Sequence, residues 1–95
     1  MNNKGIHTEI EEIIKTDSLQ IIRENYFQFP EGKSNIYAKN IEGKIVWFAD
    51  LPIEGDSYSN PIEFNDGKLR ASSWKGFTVL INIKNGKIIN SNFTK

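Results

Sequence analysis

Apolar and polar residues alternate along most of this chain, and turns that contain glycine interrupt the alternation. In NIEGKIVWFAD, residues 40–50, a Glu42-Gly43 turn precedes apolar residues at alternate positions, Ile45, Trp47 and Ala49. Related stretches recur as FNDGKLRASSW and IKNGKIINSNF. A period of two is the pattern of a strand with one buried face, and glycine accepts the positive φ of a tight turn. The repeat therefore predicts a series of β-hairpins.

The second half of the chain shows this pattern most clearly. Ile62 and Phe64 precede an Asn65-Asp66-Gly67 turn, and alternating apolar residues follow it. Asp-Gly and Asn-Gly between alternating apolar residues are strong signals for a hairpin. A second hairpin is predicted around Asn85-Gly86. Both predicted turns require positive φ at their glycines.

The N-terminal stretch TEIEEIIKTDSLQIIREN is ambiguous. Ile10, Ile13 and Ile14 fit one face of a helix, but β-branched residues dominate and Thr16-Asp17-Ser18 interrupts the run as a turn would. We favour two strands, at about residues 9–15 and 19–25 by this pattern. A short N-terminal helix on a β-meander is the alternative.

The two halves of the chain resemble each other. Gly43 and Gly86 are 86 − 43 = 43 residues apart, and at that offset Ile36-Tyr37-Ala38 falls on Val79-Leu80-Ile81. A period of this length with four strands is typical of blade-like repeats. We therefore predict one small domain, divided into a flexible terminus, a first unit, a connecting loop and a second unit: residues 1–8, 9–50, 51–60 and 61–95.

Composition narrows the functional classes. The 95 residues carry no net charge and no cysteine, which argues against a general nucleic-acid binder and excludes disulfides and thiolate metal sites. No apolar run has the length of a signal peptide or a membrane helix. We expect a cytoplasmic protein that contacts neither membranes nor nucleic acid directly. Nothing in the sequence indicates its oligomeric state.

Candidate chemistry is sparse. His7 is the single histidine, and Glu9, Glu11 and Glu12 fit a solvated strand edge or the start of a helix better than a metal site. A sheet of this size rarely provides the cleft that paired catalytic carboxylates need. We expect no enzymatic activity, no cofactor and no metal.

The candidate functional residues are acids and aromatics. Five acids and no base lie between Asp50 and Asp66, so the 50–60 loop predicts an acidic patch that faces a partner. Trp47 is expected in the core, whereas Trp74 follows polar residues and is expected at the surface, where tryptophan and tyrosine often dominate binding. The predicted partner-binding residues are Asp50, Glu54, Asp56, Tyr58 and Trp74.

One stretch resembles a known repeat family. NIYAKNIEGKIVWFAD is similar to the hallmark segment of pyrroloquinoline-quinone-type β-propeller repeats, and NDGKLRASSWKGFTVLINIKNGKII is similar to the stretch that follows it. Two such units cannot close a propeller, and no quinone or metal ligand of that family can be mapped onto the chain. It also resembles small stand-alone bacterial proteins of this pattern, some of which look like immunity proteins for secreted toxins.

These observations predict an all-β protein of about eight short antiparallel strands in two four-stranded meanders that pack together. The resemblance implies a protein-binding module, an immunity protein that neutralises a cognate bacterial toxin by masking its active surface. Many such toxins are nucleases, whose basic surfaces suit an acidic loop. The alternative is a ligand-binding or regulatory β-domain without a toxin partner.

Overall fold

A computed structural model describes residues 4–30 and 32–93, and this part of the chain contains strands and turns but no helix. The eight strands are β1 (Ile10–Lys15), β2 (Leu19–Glu24), β3 (Ile36–Asn40), β4 (Ile45–Phe48), β5 (Glu63–Asn65), β6 (Lys68–Ser72), β7 (Phe77–Asn82) and β8 (Ile88–Phe93). The all-β prediction is confirmed. The N-terminal ambiguity resolves into two strands, because Thr16-Asp17-Ser18 closes a hairpin.

The strands form two antiparallel sheets in simple meander order, β1-β2-β3-β4 and β5-β6-β7-β8. Each turn predicted from a glycine joins neighbouring strands of one sheet. Gly67 and Gly86 adopt φ of 75° and 76°, as their turns were predicted to require. The first sheet is called sheet 1 and the second sheet 2 below.

The core lies between the inner faces of the two sheets. Alternate residues of each central strand point into it, which is the arrangement that the period-two pattern predicts. Trp47 belongs to this core, as expected from the sequence. The buried apolar cluster draws on both sheets and on the segment between them: Ile21, Ile36, Ala38, Trp47, Ala49, Tyr58, Ile62, Leu69, Ala71, Val79 and Ile81.

The turns that close the β3–β4 and β7–β8 hairpins differ in length by one residue. In the first turn, the Asn40 N–H donates to the carbonyl of Lys44 at 2.8 Å. In the second, the Asn82 N–H donates to the carbonyl of Lys87 at 2.9 Å. The second turn therefore contains one more residue. The 43-residue offset found in the sequence still matches the inner faces of β3 and β7, because Ile36 and Ala38 and their counterparts Val79 and Ile81 all lie in the core.

Because of the extra residue, Trp47 and its counterpart in the second unit, Asn90, point toward opposite faces of their sheets. Trp47 pairs with Ala38 and points into the core, whereas Asn90 pairs with Leu80 on the outer face of sheet 2. Because side chains alternate across a strand, a shift of one residue exchanges its faces. This difference explains why the tryptophan of the first unit has no counterpart in the second.

A β-bulge in β4 corrects a detail of the sequence prediction. Ile45 pairs with Lys39 and Trp47 pairs with Ala38, so Val46 is the extra residue between them. We expected Ile45 and Trp47 on one face. Since a bulge shifts the alternation by one residue, Ile45 points outward and is exposed, while Trp47 is buried.

Trp47 also joins the two sheets. Its indole N–H donates to the carbonyl of Ile83 at 2.8 Å, and its ring lies directly against Gly86. A Cβ atom on Gly86 would stand 2.6 Å from Cε3 of that ring. The Asp50 N–H then donates to the carbonyl of Gly86 at 2.8 Å, so the end of β4 is fixed on the β7–β8 turn.

On the outer face of sheet 1, the buried carboxylate of Glu24 holds the segment that precedes β1. Its donors are Ile6 N–H at 2.5 Å, His7 N–H at 3.0 Å, Thr8 N–H at 2.9 Å, the Thr8 hydroxyl at 3.3 Å and the hydroxyl of Tyr37. Residues 5–8 are therefore tied to the sheet, although the sequence predicted a flexible terminus there. Residues 1–3 of that predicted terminus lie outside the described part of the chain.

These hydrogen bonds set the ionisation of Glu24. Burial raises the pKa of its carboxyl, but the bonds from the Tyr37 hydroxyl and from the three backbone N–H groups outweigh burial, so the pKa lies below its ordinary value of 4.5. Burial and the negative charge of Glu24 in turn raise the pKa of Tyr37. The pair is therefore a carboxylate and a neutral phenol at neutral pH.

We predict that Gly86→Ala destabilises the protein far more than Gly67→Ala. Both glycines have positive φ, which costs an alanine about 1 kcal/mol. Only at Gly86 does the added methyl group also meet the Trp47 ring, and overpacking of this kind costs a further ~1–3 kcal/mol. Urea unfolding measures the difference. Equal losses for the two variants would contradict the contact between Trp47 and Gly86.

A second prediction concerns acid stability. A carboxyl whose pKa is lowered on folding contributes stability that is present above its unfolded pKa, near 4.5 for Glu24, and lost as the pH falls through the folded value. Glu24→Gln should lower the free energy of unfolding at neutral pH by about 1–3 kcal/mol. The difference in the free energy of unfolding between Glu24→Gln and the parent should become smaller in acid. A gap that stays constant in acid would contradict this role, and Glu42→Gln, in an exposed turn, is the control.

Candidate functional site

The segment between β4 and β5 carries most of the predicted site, and Tyr58 anchors it in the core. The Tyr58 N–H donates to Asn35 Oδ1 at 2.8 Å, and Asn35 Nδ2 donates to the carbonyl of Tyr58 at 2.7 Å. The Tyr58 hydroxyl donates to the carbonyl of Asp50. Burial and the charges of Asp56 and Asp50 raise the pKa of Tyr58, so the hydroxyl stays neutral. The loop is therefore a hydrogen-bonded part of the fold.

Asp56 is buried beneath the β6–β7 turn. Its Oδ1 accepts the N–H of Ser57 at 2.8 Å and the N–H of Lys75 at 3.0 Å. Its Oδ2 is buried and has no hydrogen-bond partner among the described residues. The carboxylate thus ties the connecting segment to the turn that follows β6.

The structure corrects the predicted acidic patch. Asp56 and Tyr58 are both buried, so neither side chain is available to a partner at the surface. Their roles are to fix the connecting segment, and the sequence missed this because polar residues in a loop are usually solvated. Asp50 and Glu54 remain exposed.

Trp74 is the most prominent functional candidate at the surface. Its side chain is 59% exposed, although the backbone around it is fixed: its N–H donates to the carbonyl of Ser57 at 2.8 Å. The ring of Tyr26 stacks on the indole, with centroids 5.5 Å apart and planes 24° apart. The indole is thus held in place from one side. Nothing in the local sequence indicated that Tyr26 lies against Trp74.

A charged residue, Lys75, follows Trp74 in the β6–β7 turn. Lys75 Nζ donates to the carbonyl of Glu54 at 3.4 Å. A lysine from the β6–β7 turn therefore reaches the 50–60 loop, which contains no basic residue of its own. The Glu54 side chain itself is exposed. We call Tyr26, Glu54, Trp74 and Lys75 the Trp74 surface.

Asp50 does not belong to the Trp74 surface. Its carbonyl accepts the hydroxyl at the far end of the Tyr58 side chain, and its Oδ2 accepts the N–H of Ile88 at 3.2 Å. Asp50 therefore lies against the start of β8. The five predicted residues thus separate into a surface pair, Glu54 and Trp74, two buried residues, and Asp50 at the end of β4.

Within residues 4–30 and 32–93, no three acidic or histidine side chains converge in a way that could hold a metal ion. The same part of the chain has no helix long and apolar enough to cross a membrane.

The fold and this surface define a small all-β protein of two four-stranded meanders with an exposed, stacked aromatic pair at the β6–β7 turn. The chain belongs to the DUF7957 family, a domain of unknown function, whose model matches residues 2–93. Nothing among curated proteins matches the chain.

The structural role of Asp56 leads to a prediction. Asp56→Ala should destabilise the protein by about 1–3 kcal/mol, because it leaves the N–H groups of Ser57 and Lys75 without an acceptor. Asp56→Asn keeps an Oδ1 that can accept both, so it should retain most of the stability. Thermal unfolding of the two variants tests this. An asparagine variant as unstable as the alanine variant would show that the charge, not the acceptor, is needed.

Proposed function

We propose that this protein is a small protein-binding module that acts as an immunity protein, neutralising a cognate bacterial toxin by masking the toxin's active surface. The proposed binding site is the Trp74 surface. In this proposal the protein works in the cytoplasm and performs no catalysis of its own. It binds the toxin, not nucleic acid or membranes.

The observation that carries the proposal is the exposed indole of Trp74. A side chain that is 59% exposed gains little from folding, yet Tyr26 stacks on it and Ser57 fixes its backbone. Preorganised aromatic side chains lose little conformational freedom on binding, and tryptophan and tyrosine are enriched among the residues that dominate protein interfaces. The rigid two-sheet scaffold supports the same interpretation, because masking a surface requires a fixed shape.

The exposed carboxylate of Glu54 is the feature of this surface that suits a basic partner. Lys75, which follows Trp74 in the chain, donates from Nζ to the carbonyl of Glu54. A nuclease toxin would present a basic surface, since it must hold phosphates. The exposed carboxylate would steer association with such a surface at a rate that falls with salt.

The two sheets give further support. Each is a four-stranded antiparallel meander, as is each blade of the propeller repeats that the sequence resembles. Stand-alone bacterial proteins of that pattern include some that look like immunity proteins. The toxin assignment rests on this resemblance, whereas the protein-binding assignment rests on the Trp74 surface.

The test is protection of cells that express a toxin encoded beside this gene. Glu54→Lys should slow association with the toxin several-fold at low salt. The difference in association rate between the variant and the parent should shrink as salt screens the charges. Trp74→Ala should weaken binding by roughly 2 kcal/mol, or about thirtyfold. Melting temperatures should change little for Glu54→Lys. Glu42→Lys, a matched exposed acid in the β3–β4 turn, should bind like the parent.

Two results would contradict the proposal at different levels. If Glu54→Lys and Trp74→Ala protect as well as the parent, the binding surface lies elsewhere. If no product of a neighbouring gene binds the parent, the toxin-neutralising function fails and the ligand-binding alternative takes its place.

A further inference from the structure

A groove of about 440 Å³ borders Trp74 on the outside of the protein. It lies between the β6–β7 turn and the residues that lead into β5. Trp74 and Phe77 line it together with Ser59, Asn60, Ser72, Ser73 and Gly76. Tyr26 does not line it, so the groove borders the part of the indole that Tyr26 leaves open.

The walls of this groove are held by backbone and side-chain hydrogen bonds. The Ser73 N–H donates to the carbonyl of Phe77 at 2.8 Å, and the Phe77 N–H donates to Ser73 Oγ at 3.1 Å. Trp74 and Phe77 therefore flank one closed turn. Phe77 is further supported by the ring of Phe93, whose centroid lies 5.3 Å away.

The chemistry of the groove separates into an apolar part and a polar part. Two aromatic side chains supply the apolar part, and the side-chain amide of Asn60 with the hydroxyls of Ser59 and Ser72 supplies the polar part. None of the described residues that line the groove is ionisable. A charged group would lose hydration there without gaining an ion pair.

We propose that this groove takes an uncharged aromatic side chain with a hydroxyl group, a tyrosine, presented by the protein partner. The ring packs against Trp74 and Phe77, and the hydroxyl reaches the amide of Asn60. A tyrosine ring combines a large apolar area with one polar group that requires a partner. Although serine and asparagine residues line part of the groove, more of its exposed lining is apolar than polar, which suits a phenol better than a sugar ring.

This inference rests on the proposed protein-binding function and names the anchor residue that the Trp74 surface receives. The basic groups expected on the partner would then surround the anchor and meet Glu54, outside the groove. The groove can be tested without the partner, because the proposed anchor is a single residue. A small amino-acid amide with the same side chain can take its place.

The experiment is an NMR titration of the ¹⁵N-labelled full chain. It monitors the chemical shifts of the Trp74 indole N–H and of the Asn60 side-chain amide. The probes are N-acetyl-tyrosinamide, N-acetyl-phenylalaninamide, N-acetyl-argininamide and methyl β-glucoside. We expect the tyrosine amide to shift both signals at the lowest concentration. The phenylalanine amide should shift them at concentrations about twofold to tenfold higher, because it lacks one hydrogen bond.

Two variants assign the interactions. Asn60→Ala should remove the preference for the tyrosine amide over the phenylalanine amide and leave the affinity for the latter unchanged. Trp74→Ala should abolish binding of both. Phe64→Ala, which removes an aromatic side chain that is 37% exposed on β5, should bind like the parent.

The inference is overturned if the glucoside or the arginine amide shifts these signals at lower concentration than the tyrosine amide. It is also overturned if none of the probes shifts them. Binding of the tyrosine amide supports the groove assignment even where no toxin partner is found, a result that would count against the proposed function alone.

Discussion

The packing of Trp47 on Gly86 is the contact on which the two-sheet arrangement depends. Each sheet has only four short strands, and the apolar inner face of such a sheet needs a partner to cover it. Trp47 supplies the contact: its ring fills the space that a side chain at position 86 would take, and its N–H satisfies the Ile83 carbonyl. Because Asp50 then bonds the carbonyl of Gly86, the chain enters the connecting segment in a fixed direction.

The connecting segment continues this constraint to the functional surface. The side-chain amide of Asn35 bonds both the N–H and the carbonyl of Tyr58. Asp56 in turn accepts the N–H of Lys75 and so fixes the turn that carries Trp74. The exposed indole therefore sits on a chain of buried polar contacts that begins at the junction of the sheets. The position of the Trp74 surface is thus a consequence of how the sheets are joined.

Much of the fold could be predicted from the sequence, whereas the site could be predicted only in part. Alternation and turn glycines identified the strands and placed Trp47 in the core, because these signals are local. The burial of Asp56 and Tyr58 could not be predicted, since it depends on Asn35 and on the β6–β7 turn, which are distant in sequence. The pairing of Tyr26 with Trp74 likewise needs both sheets in place. The bulge in β4 has no clear residue signature, and it reversed the expected face of Ile45.

The single-residue difference between the Asn40 and Asn82 turns has an evolutionary meaning. If the two units descend from a duplicated ancestor, an insertion or deletion in one turn was enough to exchange the faces of a whole strand. One copy could then keep a tryptophan for the junction while the other placed asparagine on the outside. Loop length, usually regarded as neutral, would here have broken the symmetry of the repeat and allowed each half to acquire its own surface.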